Sequence, residues 1–428
     1  MPTDRDQAIE EVVSQVRERL QQDWPRGEAD ITEIEEIAFR IEREVLNEMV
    51  QKMVRQQTGK RTGNRVVCSC GGLADYRKQS QIVMVSAFGR MRIQRAHFYC
   101  SKCRSGSCPQ DDKWGLGPGY STPTVQSAVG YLAVRMPYTQ VPGTLRQLRP
   151  QMYLGVKIVE KIVHRLGRHV RLGPPKEFAP AVHPLAVAVD GTMLPTRNGY
   201  KEARCAVIYE VNPQADRSRA GETSLQKEYL GTITGSRQEL VQRACARAEA
   251  RRPSPETPVV ALGDGAHWIW SNYREYLPNR VEILDWFHVC EHLGTVAAAW
   301  YGEGTKEAGN WLTRMEAELQ GNGPEPLLRS IKAWRPQTKA GKEVRRRELN
   351  YFRKNLARME YANFLAEGYP IGSGAVEGAC KHLVGDRFKG SGMRWNKPTA
   401  EELLHLRAAV LTDPEKDLRK YAHAPTMV

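Results

Sequence analysis

The chain has 428 residues, more than one typical domain, so we expect a catalytic core with one or two smaller modules rather than a single body. Hydrophobic residues make up 41% and charged residues 26%, which excludes a wholly disordered protein. The 63 basic and 49 acidic residues leave a net charge of +14, which favours a polyanionic partner, nucleic acid first.

The sequence has no stretch near the roughly 18 apolar residues that span a bilayer, so a membrane partner is not expected. Its first residues, Met1 to Arg19, are highly charged and lack the apolar core of a signal peptide, which favours a cytoplasmic protein. In that reducing compartment the nine cysteines should be thiols or metal ligands rather than disulfides.

The first predicted region, residues 1–60, is helical. Its apolar residues recur at helical spacing and favour two or three helices. They include Ile9, Val12, Val13, Val16 and Leu20.

Five of the nine cysteines fall in the second region, residues 61–115, on either side of an alternating apolar stretch typical of a β-hairpin. The alternating residues are Ile82, Met84, Phe88, Met91 and Ile93. Two cysteine knuckles joined by a hairpin are typical of a zinc ribbon. The candidate ligands of a structural Zn²⁺ are Cys68, Cys70, Cys100, Cys103 and Cys108. The alternative is a reduced module of five thiols without metal.

Residues 120–172 contain three helical patterns with short connections. The predicted helices are Val125–Val134, Val141–Leu148 and Val156–Leu166. They suit a helix-turn-helix DNA-binding region, in which Arg146 and Arg149 are candidates for DNA contact. A simple packing spacer is an equally good interpretation of three small helices.

After a proline-rich linker the pattern changes to short strands and helices. The predicted strands are Leu185–Val189, Cys205–Val211, Tyr229–Ile233, Val259–Leu262 and Val281–Leu284, with a helix over Arg237–Ala250. The order β-β-β-α-β-α-β-α is that of an α/β ribonuclease H-like core. We place its first part at 182–295 and its final helix at 369–412, with an all-α insertion at 296–368 and a C-terminal tail at 413–428.

Two aspartates follow buried strands of this predicted core. Asp190 follows Leu185–Val189, and Asp264 follows Val259–Gly263. Ligands gather at such strand ends in open α/β sheets. Phosphodiester cleavage by two metal ions needs converging carboxylates, and Mg²⁺ prefers hard oxygen ligands. Because Asp-Gly after a strand is also an ordinary turn, the prediction depends on the two aspartates together.

Glu377 is the predicted third carboxylate, in a glycine-rich loop that opens a helix. With Ser373 as the N-cap, the capping-box position is Val376, so capping does not explain Glu377. Lys381 lies one turn later and either contacts a phosphate or pairs with Glu377.

Asp285 is the alternative third acid, because it also ends a predicted strand. His288 and His292 share a helical face beyond it, a spacing that resembles a zinc pair. Ordinary packing is the default interpretation of the two histidines, and we treat all three residues as auxiliary.

These motifs resemble the bacterial ISKra-type insertion-sequence transposases, which are distantly related to the Mutator-like transposases. The resemblance covers about Cys68 to Leu411, and its C-terminal block is the most specific part. It includes the paired cysteine knuckles, Val189–Thr192, Gly263–Ala266, Asp285–His288 with His292-Leu293, Gly372–Gly378 and Arg387–Trp395.

The resemblance implies a DDE transposase in which Asp190, Asp264 and Glu377 form the catalytic triad and bind Mg²⁺ or Mn²⁺. It also implies a helical insertion before the glutamate and a location on the bacterial nucleoid. The family's first knuckle reads Cys-x-x-Cys, whereas Cys68-Ser69-Cys70 has one intervening residue. This departure predicts that Cys108 replaces one of the first two cysteines, and it leaves the fourth zinc ligand open.

Cations and one aromatic residue crowd the segment that follows Glu377, a mixture suited to phosphates and an unstacked base. The predicted DNA contacts are Lys381, Arg387, Lys389, Arg394, Trp395 and Lys397. The alternative is that Trp395 belongs to the core and that the cations are solvated.

The sequence thus predicts metal-dependent cleavage at transposon ends, followed by transfer of the 3′-hydroxyl into target double-stranded DNA. Holding two terminal inverted repeats together suggests a homodimer or higher oligomer on DNA. Two alternatives stay open: a metal-dependent nuclease of the same fold, and an inactive or domesticated DNA-binding protein.

Overall fold

Two β-sheets, each packed with helices, make the chain a mixed α/β protein. The structure is a computed structural model that describes residues 4–58, 63–172, 176–211, 224–372 and 374–423. It divides into two units, Met1–His169 with Asp417–Val428, and Val170–Lys416. Among the described helices, none combines the length and apolar character needed to cross a bilayer.

The first unit begins with a helical hairpin, which confirms the predicted N-terminal helices. Its helices are α1 (Asp4–Asp23), α2 (Ile31–Ile41) and α3 (Asn47–Gln57), with a π-helical turn at Glu42–Leu46 between α2 and α3. Asp30 caps α2, because its carboxylate accepts a hydrogen bond of 2.9 Å from the Glu33 amide.

The cysteine segment forms a four-stranded antiparallel sheet in chain order. Its strands are β1 (Arg65–Val67), β2 (Leu73–Ser86), β3 (Gly89–Cys100) and β4 (Ser105–Ser107). Strands β2 and β3 pair from Ser86 and Gly89 at the turn to Ala74 and Cys100 at the open end, which confirms the predicted hairpin. The alternating apolar residues bury one face, where Met84, Met91 and Ile93 pack together.

Four helices follow the sheet in the first unit. They are α4 (Pro109–Lys113), α5 (Pro123–Ala133), α6 (Val141–Leu148) and α7 (Val156–Leu172), and a 3₁₀ turn at Pro118–Tyr120 lies between α4 and α5. The three predicted helices are confirmed, and α7 continues beyond its predicted end at Leu166. Within the predicted tail, a 3₁₀ helix at Leu418–Ala422 packs against α5, and residues 424–428 lie outside the described ranges.

The second unit is built on a five-stranded mixed sheet in the order β7-β6-β5-β8-β9. Its strands are β5 (Leu185–Thr196), β6 (Gly199–Val211), β7 (Ser224–Thr232), β8 (Val259–Gly263) and β9 (Arg280–Leu284). Strands β5, β6 and β7 form an antiparallel meander, whereas β8 and β9 run parallel to β5. All five predicted strands are present.

One predicted boundary is wrong, because β5 does not end at Val189. Its pairing with β8 stops at Ala188, but its pairing with β6 continues to Thr196. Strand β6 supplies hydrogen-bond partners beyond Asp190, so the aspartate lies within a strand whose β8 side has become free.

Helices cover the sheet and form the predicted all-α segment. They are α8 (Arg237–Arg251), α9 (His267–Tyr276), α10 (Trp286–Tyr301), α11 (Lys306–Asn322), α12 (Glu325–Ala333), α13 (Lys339–Lys354) and α14 (Tyr361–Ala366), with a 3₁₀ turn at Leu356–Arg358. In the apolar centre of this segment, the ring of Trp300 stacks on Trp334 at 5.4 Å and packs on Trp311 at 6.0 Å.

The chain then returns to the sheet through a final group of helices. They are α15 (Gly374–Cys380), a π-helical turn (Lys381–Gly385), α16 (Asp386–Phe388) and α17 (Lys397–Thr412). Helix α15 packs on β5 and β6, and α17 packs on β7. The predicted N-cap, Ser373, lies outside the described residues.

Glu401 on α17 fixes the end of β7. Its carboxylate accepts hydrogen bonds from the Thr232 hydroxyl at 2.7 Å and from the amides of Ile233 and Thr234, and it pairs with His405 at 3.2 Å. Burial opposes the charge, but the bonds from His405, Thr232 and the backbone hold the pKa of Glu401 at about 2.

We predict that Glu401→Gln destabilises the protein by about 1–3 kcal/mol, because it removes a buried charged acceptor. The depressed pKa means that the contribution of Glu401 is present above its ordinary value of 4.5 and is lost as the pH falls towards 2. Thermal unfolding between pH 7 and pH 3 measures this. The exposed Glu415→Gln is the control, and an equal loss in both variants contradicts the assignment.

Candidate functional site

Asp190 and Asp264 occupy equivalent positions on neighbouring parallel strands. Ala188 of β5 pairs with Leu262 of β8, and each aspartate lies two residues beyond that pair. Asp285 follows β9 in the same direction, and its amide donates to the Gly263 carbonyl at 2.9 Å. The three acids line one small cavity at the carboxyl ends of the strands, as the sequence predicts for Asp190 and Asp264.

Asp190 is held by a backbone amide and a thiol. Its Oδ1 accepts from the Gly191 amide at 2.6 Å, and its Oδ2 lies 3.8 Å from the Cys380 thiol of α15. Burial raises the pKa of Asp190, and the negative charge of Asp264 adds to this, whereas the Gly191 amide and His288 oppose it. The raised pKa reflects two carboxylates that share a partly desolvated site.

Asp264 begins a tight turn into α9. Its Oδ1 accepts from the Ala266 amide at 2.8 Å, and its carbonyl oxygen accepts from the Tyr351 hydroxyl of α13 at 2.9 Å. Gly265 has a φ of +94°, and a Cβ there would lie 2.7 Å from the Tyr351 ring. A glycine is therefore required on both conformational and steric grounds.

Asp285 serves mainly to hold His288. It is 1% exposed, and its Oδ2 accepts from the His288 amide at 3.0 Å and from the His288 Nδ1 at 2.6 Å, which caps α10. The bond to Asp285 raises the pKa of His288 to about 9 against the opposing effect of burial, and Asp264 adds to the rise. His288 is therefore a cation at neutral pH beside the carboxylates.

His292 belongs to a separate network. Its Nδ1 lies 2.5 Å from the Glu348 carboxylate, and its ring stacks on Tyr351 at 3.7 Å. The two histidines thus pair with different acids, and they do not form the zinc pair that their spacing resembles. The contacts of both histidines fit the default interpretation, in which they pack and pair within the fold.

Glu377 does not enter the cavity. Val376 lines it and Cys380 contacts Asp190, but the intervening Glu377 side chain is exposed. Asp190, Asp264 and Glu377 are all described, and their carboxylate oxygens do not gather within 4.8 Å of one another. The two aspartates have the oxygen chemistry of a Mg²⁺ site, but the predicted set of three ligands is not assembled.

Two residues at this site were missed from the sequence. Cys380 follows Glu377 by three residues, so the helical period places it on an adjacent part of the same helix, and this spacing was a usable signal. Tyr351 lies in the all-α segment, far from Asp264 in the chain, and the sequence pattern contains no sign of that contact.

Four cysteines of the first unit form a second candidate site. The Sγ atoms of Cys68, Cys70, Cys100 and Cys103 all lie within 4.8 Å of one another. The Cys68–Cys103 and Cys70–Cys100 distances are both 3.6 Å. Tetrahedral ligation by bonds of about 2.3 Å requires sulfur atoms about 3.8 Å apart, so the group fits a zinc ion.

The short Cys68-Ser69-Cys70 knuckle is closed by a tight turn. The Cys68 amide donates to the Gly72 carbonyl at 2.8 Å, and Gly71 adopts a φ of +77°. A hydrogen bond from the Cys70 backbone, with another from the Cys103 thiol, lowers the pKa of the Cys68 thiol to about 6. One intervening residue is therefore enough to direct both thiols at the same point.

The prediction that Cys108 replaces one of these cysteines is wrong. Strand β4 pairs Ser105 with Cys100 and Ser107 with Phe98, so the chain runs back along β3 and carries Cys108 away from the knuckles. Cys108 is buried before α4, and burial raises the pKa of its thiol.

Two of the predicted DNA contacts are also wrong. Arg387 is 2% exposed and Trp395 is 9% exposed, with the guanidinium 5.1 Å from the ring. The Trp395 indole packs on Phe388 and donates to its carbonyl at 3.0 Å, which is a core role. The remaining predicted cations are exposed, namely Lys381, Lys389, Arg394 and Lys397.

No protein-family model matches the chain, and no curated protein matches it.

We predict that Gly265→Ala destabilises the protein by about 1–3 kcal/mol, because it combines backbone strain with a clash against Tyr351. Gly294→Ala is the matched control, since Gly294 lies within α10 with open space at its Cβ position. Alanine should stabilise that helix by about 0.5–1 kcal/mol. Thermal unfolding of both variants tests this, and a stabilising Gly265→Ala contradicts the role of the glycine.

Proposed function

We propose that the chain is a DDE transposase that cuts DNA at transposon ends and joins the 3′-hydroxyl to target DNA. The observation that carries the proposal is the pair of aspartates, Asp190 and Asp264, on adjacent parallel strands beside one cavity. In the proposal Asp190, Asp264 and Glu377 hold Mg²⁺ or Mn²⁺, which would supply an activated water and neutralise charge on the phosphate.

The sheet supports a ribonuclease H-like core. Three antiparallel strands, β5 to β7, are followed by two strands, β8 and β9, that run parallel to β5. In the chain, α8 lies between β7 and β8, and α9 lies between β8 and β9. This is the β-β-β-α-β-α-β-α order predicted from the sequence, and α15 to α17 complete it after the all-α segment. In the proposed fold the first strand, β5, carries Asp190, and Asp264 follows the fourth strand, β8.

The electrostatics of the cavity suit a site that binds a cation. Burial and mutual repulsion raise the pKa of Asp190, so the apo site carries unfavourable negative charge that a cation relieves. The His288 cation provides part of that relief, and Asp285 holds the imidazole in place. Because Asp285 is engaged with His288, the proposal assigns the role of third acid to Glu377.

Glu377 is the acid whose approach the proposal requires. Its helix, α15, already contacts the site through Val376 and Cys380, and the carboxylate is exposed one residue beyond the cavity wall. The proposal requires a rotation of this seven-residue helix that would bring Glu377 towards Asp190.

Exposed cations near the same strand end offer contacts to the DNA backbone. Lys389 Nζ donates to the Thr192 hydroxyl at 2.6 Å, two residues beyond Asp190 on β5. Lys381, Arg394 and Lys397 are exposed in the same C-terminal segment. We propose these four as phosphate contacts.

The proposed function predicts that Asp190→Asn, Asp264→Asn and Glu377→Gln each abolish DNA cleavage. The assay incubates purified protein with Mg²⁺ and a plasmid that carries the DNA flanking its own gene, and maps the breaks and joined products. Each variant should lose at least about 10³-fold in rate, since each removes a charge that stabilises the transition state. Asp386→Asn is the control, because Asp386 is an exposed acid paired with His382.

The outcomes separate the alternatives. Breaks at fixed positions without joined products indicate a nuclease of the same fold. Tight binding to the flanking DNA without cleavage in the wild-type protein indicates an inactive or domesticated DNA-binding protein. Cleavage that survives Asp190→Asn contradicts the proposal.

We also propose that the four-cysteine group holds a structural zinc ion. We predict about one zinc per chain by elemental analysis, nearly complete loss in Cys70→Ser, and full retention in Cys108→Ser. Both variants replace one thiol in the same module, so they differ only in membership of the group. Zinc that is absent from the wild-type protein, or lost in Cys108→Ser, contradicts the assignment.

A further inference from the structure

Helix α1 exposes a continuous apolar stripe. It consists of Ile9, Val13, Val16 and Leu20, and Ile9, Val13 and Leu20 are 48%, 47% and 38% exposed. Successive members are separated by four, three and four residues, which is the spacing of a coiled-coil seam over about two heptads. The stripe borders a groove that ends at Trp24, which is 68% exposed.

The contacts of α1 within its own chain are made by a different and polar side of the helix. Four residues spaced by four reach across to α2, the π-helical turn and α3. The pairs are Glu11–Lys52 at 2.8 Å, Gln15–Glu48 at 3.4 Å, Arg19–Glu44 at 3.0 Å and Asp23–Arg40 at 3.4 Å. This regular ladder fixes α1 antiparallel to its neighbour and turns the apolar stripe away from it.

This arrangement reverses the usual one, in which a helix packs by its apolar side and solvates its polar side. Exposed ion pairs stabilise a contact only weakly, whereas an exposed apolar stripe marks an interaction surface. On α2, Ile31 and Ile34 are also exposed, at 68% and 48%.

We propose that a second copy of this chain covers the stripe, with the two α1 helices antiparallel. Glu10 and Arg17 flank the stripe on the side opposite the polar ladder, seven residues apart. In an antiparallel pair, Glu10 of one copy lies opposite Arg17 of the other, and the twofold symmetry repeats the pair. The charges that flank the stripe are thus self-complementary.

The charges beside the stripe disfavour a membrane as the occupant. Helix α1 carries six acidic and three basic residues, and this excess of negative charge opposes binding to an anionic bilayer. The proposal does not depend on the proposed DNA chemistry, because the hairpin belongs to the first unit and Asp190 and Asp264 to the second.

The first test measures the mass of the full-length protein by light scattering across a range of concentrations. We expect a dimer for the wild type and a monomer for the double variant Val13→Glu, Leu20→Glu. Both positions are solvent-exposed in the single chain, so the variant should keep its helical circular dichroism. Ser14→Glu is the control, since Ser14 lies on neither the apolar stripe nor the polar ladder. The Ser14→Glu protein should remain dimeric.

The second test uses charge exchange to establish the antiparallel arrangement. Glu10→Arg alone and Arg17→Glu alone should each raise the dissociation constant roughly tenfold, because two attractive pairs become repulsive. Mixing the two variants, or combining both changes in one chain, should restore the wild-type constant. A wild-type monomer, a dimer that survives Val13→Glu with Leu20→Glu, or a failure of the mixture to recover overturns the proposal.

Discussion

The second unit depends on one electrostatic constraint: three aspartates meet at the same edge of a buried sheet, Asp190 within β5 and Asp264 and Asp285 directly after β8 and β9. Asp190, Asp264 and Asp285 converge because β5, β8 and β9 run in the same direction, and their charges repel one another in a partly desolvated space. The structure offsets this cost locally. Asp285 bonds to a cationic His288, Asp264 bonds to the backbone of its own turn, and Asp190 bonds to the Gly191 amide. Acids whose charges are compensated in this way are typical of functional sites.

The same constraint explains why distant segments pack at this edge. Tyr351 in the all-α segment reaches the Asp264 carbonyl, and Cys380 in the returning helix reaches Asp190. Glu401 then fixes β7, at the opposite side of the sheet, by accepting from three donors at its end. The all-α segment and helix α15 therefore share one hydrophobic core with the sheet and contribute residues to the site.

Much of this fold could be predicted from the sequence, because buried strands appear as short apolar runs and hairpins as alternation. The limits are physical. The end of β5 was misplaced because β6 supplies its hydrogen-bond partners, and pairing is not visible in one strand's sequence. Arg387 and Trp395 suggested a DNA surface because composition does not distinguish a packed cation–aromatic pair from an exposed one. Cys108 seemed necessary because the positive φ of Gly71, which lets a short knuckle close, cannot be read from spacing alone.

The distribution of charge also limits how a DNA strand would approach the acids. A polyanion is repelled by exposed carboxylates unless cations surround them, and buried cations such as Arg387 cannot take part. Lys389, which is exposed, lies next to the strand that carries Asp190. Because Lys389 is tied to Thr192 rather than to an acid, its charge is not cancelled within that bond. In the proposed chemistry, cations such as Lys389 at the rim would attract the phosphate that the carboxylates at the centre repel.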